Sequence, residues 1–149
     1  MKLIHAELSK VRRLYIDSAP LIYYVEENAA YLDKMREIVG IVDQTDLLAF
    51  SSVLTLAEVL VWPLRQGDQQ LVQAYQEILV AGDDYELVVV TPEIAVTAAD
   101  IRARYGLGTP DSLHVATAIA THCDAMLTND SDMKRIKELS VLLLDDLAS

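Results

Sequence analysis

Short apolar runs alternate with helical segments along almost the whole chain. Residues 11–16, 47–51, 85–90, 125–128 and 141–144 have the pattern of strands, and helical patterns occupy 20–25, 29–43, 53–61, 69–81, 92–105 and 109–120, with a last helix expected from residue 129. Strands separated by helices pair in parallel, because a parallel pair needs a crossover connection. The sequence therefore predicts a three-layer α/β/α fold with a mostly parallel central sheet.

Length and composition indicate one folded domain over residues 1–149. The chain has 149 residues, of which 52% are hydrophobic and 23% charged, enough for a substantial core. No apolar run is long enough to span a bilayer, and the polar start lacks the apolar centre of a signal peptide. We therefore expect a cytoplasmic protein that does not enter the membrane.

The net charge of −11 excludes the basic surface on which nonspecific coating of DNA or RNA depends. Two interpretations of this acidity stay open. The acids can form an ordinary solvated surface, or several of them can be gathered in a site that binds cations. The positions of individual acids distinguish the two.

Four acidic residues lie at positions in the predicted fold where active-site residues are often found. Asp17 follows the first core strand, Asp130 follows the strand at 125–128, and Asp111 lies in the first turn of an apolar helix. The carboxyl ends of parallel strands form the edge where ligands bind in open α/β sheets. Asp17 and Asp111 can also be explained as helix caps. Glu58 is the one charged residue of the apolar helix at 53–61, so it needs a positive partner or a surface position.

Several carboxylates at one edge repel one another unless cations bind between them. Oxygen ligands without paired histidine or cysteine favour Mg²⁺ or Mn²⁺ over zinc, and one or two such ions are expected here. Ser18, Thr128 and Asn129 are the neighbours that could orient the carboxylates or bound waters. His114 lies one helical turn after Asp111, but hard cations rarely need imidazole, so we do not expect it to be a metal ligand.

Four sequence segments together resemble the successive motifs of the PIN domain family. In chain order they are YIDSAPLIYY (15–24), SSVLTLAEVL (51–60), PDSLHVATA (110–118) and LTNDSDM (127–133). In its length and in the sequences of these motifs, the chain looks most like the VapC-type toxins of type II toxin–antitoxin systems. This resemblance implies a metal-dependent endoribonuclease, usually a homodimer, whose site is covered by a small cognate antitoxin.

The resemblance also assigns roles by position. It implies that the catalytic, metal-binding acids are Asp17, Glu58, Asp111 and Asp130, with Asp132 as an auxiliary acid. The expected reaction is hydrolysis of an RNA phosphodiester by a metal-activated water. The chain departs from the family pattern in two places: Met133 replaces an aromatic residue that commonly follows the last acid, and residues 1–10 form an N-terminal extension, either a strand or a disordered arm.

Two other functions remain open. A PIN-like module could bind an antitoxin or nucleic acid without cutting it, and an active nuclease could process RNA outside a toxin system. The intact set of acids favours cleavage. Because the whole chain is acidic, RNA binding would depend on the bound metal ions and on local basic residues, for which the sequence offers Arg12, Arg13, Lys134 and Arg135.

Overall fold

The central sheet has five strands, and every strand pair in it is parallel. The computed structural model describes residues 1–149. The five strands are β2 (Arg13–Ile16), β3 (Leu48–Ser52), β4 (Tyr85–Val88), β5 (Ala125–Thr128) and β6 (Ser140–Leu143), arranged in the order β4-β3-β2-β5-β6. A separate two-stranded parallel sheet pairs β1 (Lys2–Leu3) with β7 (Leu147–Ala148). The predicted α/β/α fold is confirmed, and its sheet is parallel throughout.

Only 3₁₀ turns lie between β5, β6 and β7, and the preceding strands are connected by eight helices. They are α1 (Ile4–Leu8), α2 (Ser18–Val25), α3 (Leu32–Gln44), α4 (Val53–Val59), α5 (Val61–Gln66), α6 (Gln69–Gln76), α7 (Pro92–Tyr105) and α8 (Thr109–Ala120). A π-helical turn at Glu77–Ala81 continues α6, and short 3₁₀ turns occupy Ser131–Arg135 and Leu144–Asp146. None of these helices has the length and apolar character that crossing a membrane would require.

The alternation of side chains along β2 divides the core between the two faces of the sheet. Leu14 and Ile16 point into the larger cluster, where α1 to α4 and α6 pack on the sheet. Tyr15, between them, points into the other cluster, which α7 and α8 cover together with Met133. Successive residues of a strand face opposite sides, so one strand contributes to both layers of packing.

The N-terminal extension is ordered and contributes to the core. Lys2–Leu3 pairs with the last strand, and the short helix α1 buries Ile4 and Leu8 completely against the larger cluster. Of the two alternatives for residues 1–10, the structure has a strand, here followed by a helix. Met133 is also fully buried, in agreement with its expected role as an apolar filler.

Three local expectations differ from the structure. The apolar run at 85–90 suggested a strand buried on both faces, but β4 is an edge strand that ends at Val88, and Val89 is exposed. The segment at 53–61 is interrupted at Leu60, just before the Trp62-Pro63 pair, so α4 and α5 are separate helices. The last expected helix is a single 3₁₀ turn at Ser131–Arg135.

Candidate active site

Asp17 occupies the junction between β2 and α2. It is the N-cap of α2, and its Oδ1 accepts a hydrogen bond from the Ser18 backbone N–H at 2.8 Å. Its other oxygen, Oδ2, accepts one from Thr128 Oγ1 at 2.8 Å, across the neighbouring strand β5. Asp17 is buried, so these two donors compensate for the loss of water around the carboxylate. The capping role and a position at the carboxyl edge of the sheet are therefore both present.

Glu58 extends from α4 toward Asp17, and its polar partners come from other helices rather than from its own apolar helix. His114 Nε2 lies 2.6 Å from Glu58 Oε1, and Ser18 Oγ donates to the same oxygen at 2.7 Å. Partial burial opposes the ionisation of this carboxylate. The hydrogen bonds from His114 and Ser18 outweigh that effect, so the pKa of Glu58 is lowered and the side chain is ionised at neutral pH.

His114 lies at the centre of the group, on α8, and is almost fully buried. Its Nε2 is 3.6 Å from Asp17 Oδ1 in addition to its contact with Glu58, and its Nδ1 is 2.6 Å from Tyr15 Oη. Burial would lower the pKa of His114, but the hydrogen bond to Glu58 and the charges of nearby carboxylates raise it overall. An ionised carboxylate can only accept, so Nε2 carries a hydrogen atom.

Asp111 and Asp130 complete the acidic group. Asp111 lies in the first turn of α8, and Asp130 caps the 3₁₀ turn that follows β5. Burial, together with the negative charges of Asp130 and Asp17, raises the pKa of Asp111 to about 6, and the nearby His114 only partly opposes this shift. Asp17, Asp111 and Asp130 therefore lie close enough to one another for their charges to interact, and Glu58 is connected to Asp17 through His114.

The expected auxiliary residues divide into two groups. Ser18 and Thr128 donate directly to the carboxylates of Glu58 and Asp17, and Thr128 Oγ1 also accepts the Asp130 backbone N–H at 3.2 Å. Asp132 is joined to the group through its own backbone N–H, which donates to Asp130 Oδ1 at 2.9 Å. The structure does not bring Asn129 to the carboxylates: its side chain donates to Tyr31 Oη and accepts the backbone N–H of a residue near the C-terminus.

The donor atoms in this group suit a hard divalent cation. Carboxylate oxygens predominate, no lysine or arginine is ion-paired with any of the four acids, and His114 is the one basic side chain among them. As the side chains stand, no three of them are arranged as a metal-binding group. The residues therefore fit such an ion by the chemistry of their donor atoms rather than by their present arrangement.

The basic residues near the site are fewer than expected. Lys134 and Arg135 belong to the 3₁₀ turn that Asp130 caps, although Lys134 pairs with Asp146 at 2.6 Å. The prediction for Arg12 and Arg13 is wrong, because they precede or begin β2 and so lie at the opposite edge of the sheet from Asp17. The Arg13 guanidinium is already occupied by a backbone carbonyl and an aromatic ring.

Sequence reasoning missed His114 and Tyr15 as members of the site. A buried histidine on an apolar helix is usually a core residue, and Tyr15 lies within a hydrophobic strand. The one available signal was local: His114 follows Asp111 by a single helical turn, which places both side chains on the same side of α8. The partner of Glu58 was expected to be cationic, but its identity could not be obtained from neighbours along its own helix.

Several solved structures of known proteins share the fold of this chain. Among solved structures, the chain is similar to VapBC2 from Rickettsia felis bound to a DNA fragment from their promoter (TM-score 0.67, 16% identity, covering 88% of this chain and 98% of that one). It is also similar to VapC20 of Mycobacterium tuberculosis, described as a sarcin-ricin loop cleaving toxin (TM-score 0.69, 13% identity, 85% and 98% coverage).

A toxin-antitoxin complex from Klebsiella pneumoniae has a similar fold as well, with a TM-score of 0.65, 20% identity, and coverage of 88% of this chain and 97% of that one. At these identities the likeness establishes the fold alone. None of the curated protein sequences matches this chain significantly. The PIN domain model matches residues 14–139, which include all four acids. The chain therefore belongs to the PIN domain family.

Proposed function

We propose that this protein is a metal-dependent endoribonuclease and the toxin of a type II toxin–antitoxin pair. The observation that carries the proposal is the grouping of Asp17, Glu58, Asp111 and Asp130 at the carboxyl edge of the sheet. Burial there, together with the negative charges of Asp130 and Asp17, raises the pKa of Asp111 to about 6. Such a group is unfavourable in an isolated fold, so a cationic ligand is a physical reason for its presence.

In this proposal the four acids hold one or two Mg²⁺ or Mn²⁺ ions, with Asp132 as an auxiliary ligand. A bound divalent ion would supply the positive charge that activates a water and stabilises the phosphodiester during hydrolysis. Ser18 and Thr128 orient the carboxylates of Glu58 and Asp17 through the hydrogen bonds described above.

Asp111 is the acid whose protonation state depends most on a cation. Without one, its carboxyl group keeps a proton up to a pH of about 6. A cation beside it would lower that pKa and hold the carboxylate ionised at neutral pH. Two basic residues would contribute to RNA binding. Lys134 and Arg135 lie in the 3₁₀ turn that Asp130 caps, and Lys134 would exchange its pairing with Asp146 for a phosphate. RNA affinity should therefore fall as salt concentration rises.

Family membership and the fold shared with toxin–antitoxin proteins support the toxin assignment. The proposal includes a small cognate antitoxin that covers the site, and a homodimer as the assembled form. Both are open to direct measurement: co-expression with the product of a neighbouring short gene should yield a stable complex without nuclease activity, and light scattering of the free protein should give twice the chain mass.

Cleavage of a panel of structured RNAs tests the proposal. The native protein and Asp111→Asn are incubated with each RNA in Mg²⁺, Mn²⁺ or EDTA. Asp33→Asn is the matched control, because Asp33 also lies in the first turn of a helix but on the exposed surface of α3. Cleavage should require metal, persist in Asp33→Asn and fall by at least about 100-fold in Asp111→Asn.

Other outcomes distinguish the remaining functions. RNA that stays intact with every metal, in protein shown to be free of antitoxin, would support a non-cleaving binding module instead. Metal-dependent cleavage by a protein whose expression does not slow growth, and which has no antitoxin gene beside its own, would support an RNA-processing nuclease outside a toxin system.

A further inference from the structure

The contacts around His114 define a role that the proposed set of acids does not include. We propose that His114 is a positioning residue that holds the Glu58 carboxylate beside Asp17. This inference rests on the proposed function, since it concerns how one of the suggested metal ligands is kept in place. It assigns no contact between His114 and the metal or the RNA.

The His114 ring is fixed from both sides. Its Nδ1 lies 2.6 Å from Tyr15 Oη, and Tyr15 Oη donates in turn to Ser52 Oγ at 3.1 Å. Tyr15 and Ser52 are completely buried, and His114 is 1% exposed. The Tyr15 and His114 rings also pack at 5.7 Å between centroids with an interplanar angle of 59°. A buried ring held in this way cannot rotate without breaking a hydrogen bond.

Glu58, by contrast, is a side chain that needs to be held. Its side chain is 36% exposed, and it extends from α4, a helix of seven residues. A glutamate with this exposure has several accessible rotamers, and ordering it costs conformational entropy. Two contacts to Oε1, from His114 Nε2 and Ser18 Oγ, direct the carboxylate toward Asp17. Because the buried His114 ring is itself held by Tyr15, its position determines where Glu58 points.

A purely structural role for His114 predicts different behaviour. If the residue only filled the core beneath α8, replacing it would lower the stability of the fold and leave metal affinity unchanged. If it positions Glu58, replacing it should weaken metal binding even in a protein that folds normally. Partners that orient a ligand in this way are typically worth roughly 10- to 100-fold in metal affinity.

The test measures the affinity of the metal-free protein for Mn²⁺, with electron paramagnetic resonance reporting the concentration of the free ion. It compares the native chain with His114→Leu, His114→Gln and Tyr15→Phe. Leucine removes the donor at similar volume, glutamine can restore a donor toward Glu58, and Tyr15→Phe releases the far side of the ring. We expect Mn²⁺ affinity to fall by about 10- to 100-fold in His114→Leu, by less in Tyr15→Phe, and to recover in part in His114→Gln.

Thr117→Val is the matched control. Thr117 lies one turn further along α8, is buried, and donates its hydroxyl to the Leu113 carbonyl at 2.7 Å, away from the acids. It should change the thermal unfolding midpoint in EDTA without changing Mn²⁺ affinity. RNA cleavage by His114→Leu should also recover when Mn²⁺ is raised to saturation, which a general loss of structure would not allow.

The outcomes separate this inference from the proposed function. Native Mn²⁺ affinity in both His114→Leu and Tyr15→Phe, with RNA cleavage intact, overturns the positioning role and leaves the nuclease standing. Tighter Mn²⁺ binding in His114→Leu also overturns it, because His114 would then compete with the metal. A native protein that neither binds Mn²⁺ nor cleaves RNA overturns both. If His114→Leu does not fold, Tyr15→Phe and His114→Gln decide the question.

Discussion

Replacing Asp111 with asparagine should stabilise the metal-free protein at neutral pH. The side chain is partly buried beside Asp17 and Asp130, and its pKa is raised from 3.8 to about 6. The folded protein therefore holds this proton more tightly than the unfolded chain does. The stability of the native protein falls as pH rises through the window between 3.8 and about 6, and the penalty is fully present above it. Asparagine removes the charge and with it the penalty.

The size of the effect follows from the shift. A rise of the Asp111 pKa from 3.8 to about 6 corresponds to a free-energy difference of about 3 kcal/mol between the protonated and ionised forms. Because the carboxylate is still partly open to water, solvent screening reduces the contribution to unfolding, and we expect about 1–2 kcal/mol. For a chain of this size that gain raises the unfolding midpoint by roughly 2–8 °C.

Thermal unfolding in EDTA at about pH 7 and again near pH 4.5 measures this prediction. Asp111→Asn should unfold at higher temperature than the native protein at the higher pH, and the difference should shrink at the lower pH. Asp33→Asn is the control, since an exposed acid in a first helical turn is mildly favourable and its loss should not stabilise the protein. A lower midpoint for Asp111→Asn at neutral pH, or a gain independent of pH, would refute the reasoning.

Two further predictions concern the fold. Ile4→Ala should lower the free energy of unfolding by about 2–4 kcal/mol in a urea titration, because Ile4 is fully buried. Leu3 is the exposed neighbour, and Leu3→Ala should change the free energy of unfolding by less than about 0.5 kcal/mol. Equal effects of the two substitutions would contradict the packing of the N-terminal segment. Tyr75→Phe should cost about 1–2 kcal/mol through loss of the hydrogen bond to Glu26, and Tyr24→Phe should be nearly neutral; an unchanged midpoint for Tyr75→Phe would show that this bond contributes nothing.

The layer architecture was predictable because its cause is local. Each strand of the central sheet coincides with an apolar run, and the intervals between them have room for a crossover helix. The predictions that were wrong concerned features that depend on contacts between elements distant in sequence. The run that ends at Val90 is as apolar as a central strand, yet β4 lies at the sheet edge, because strand order is set by how the crossovers pack. Likewise, the segment after Asp130 contains lysine and arginine, which favour helices, but it forms only a 3₁₀ turn.

The sequence by itself determined which acids could act together. Asp17 and Asp130 follow strands, and Asp111 begins a helix, so their placement at one edge is a consequence of short-range pattern and parallel pairing. Only the tertiary structure decided what surrounds them. Glu58 and His114 are separated by 56 positions and come from different helices, and their 2.6 Å contact exists because α4 and α8 pack at the same end of the sheet. No hydrophobic periodicity in the sequence indicates a contact of this kind, because the contact depends on how two whole helices pack.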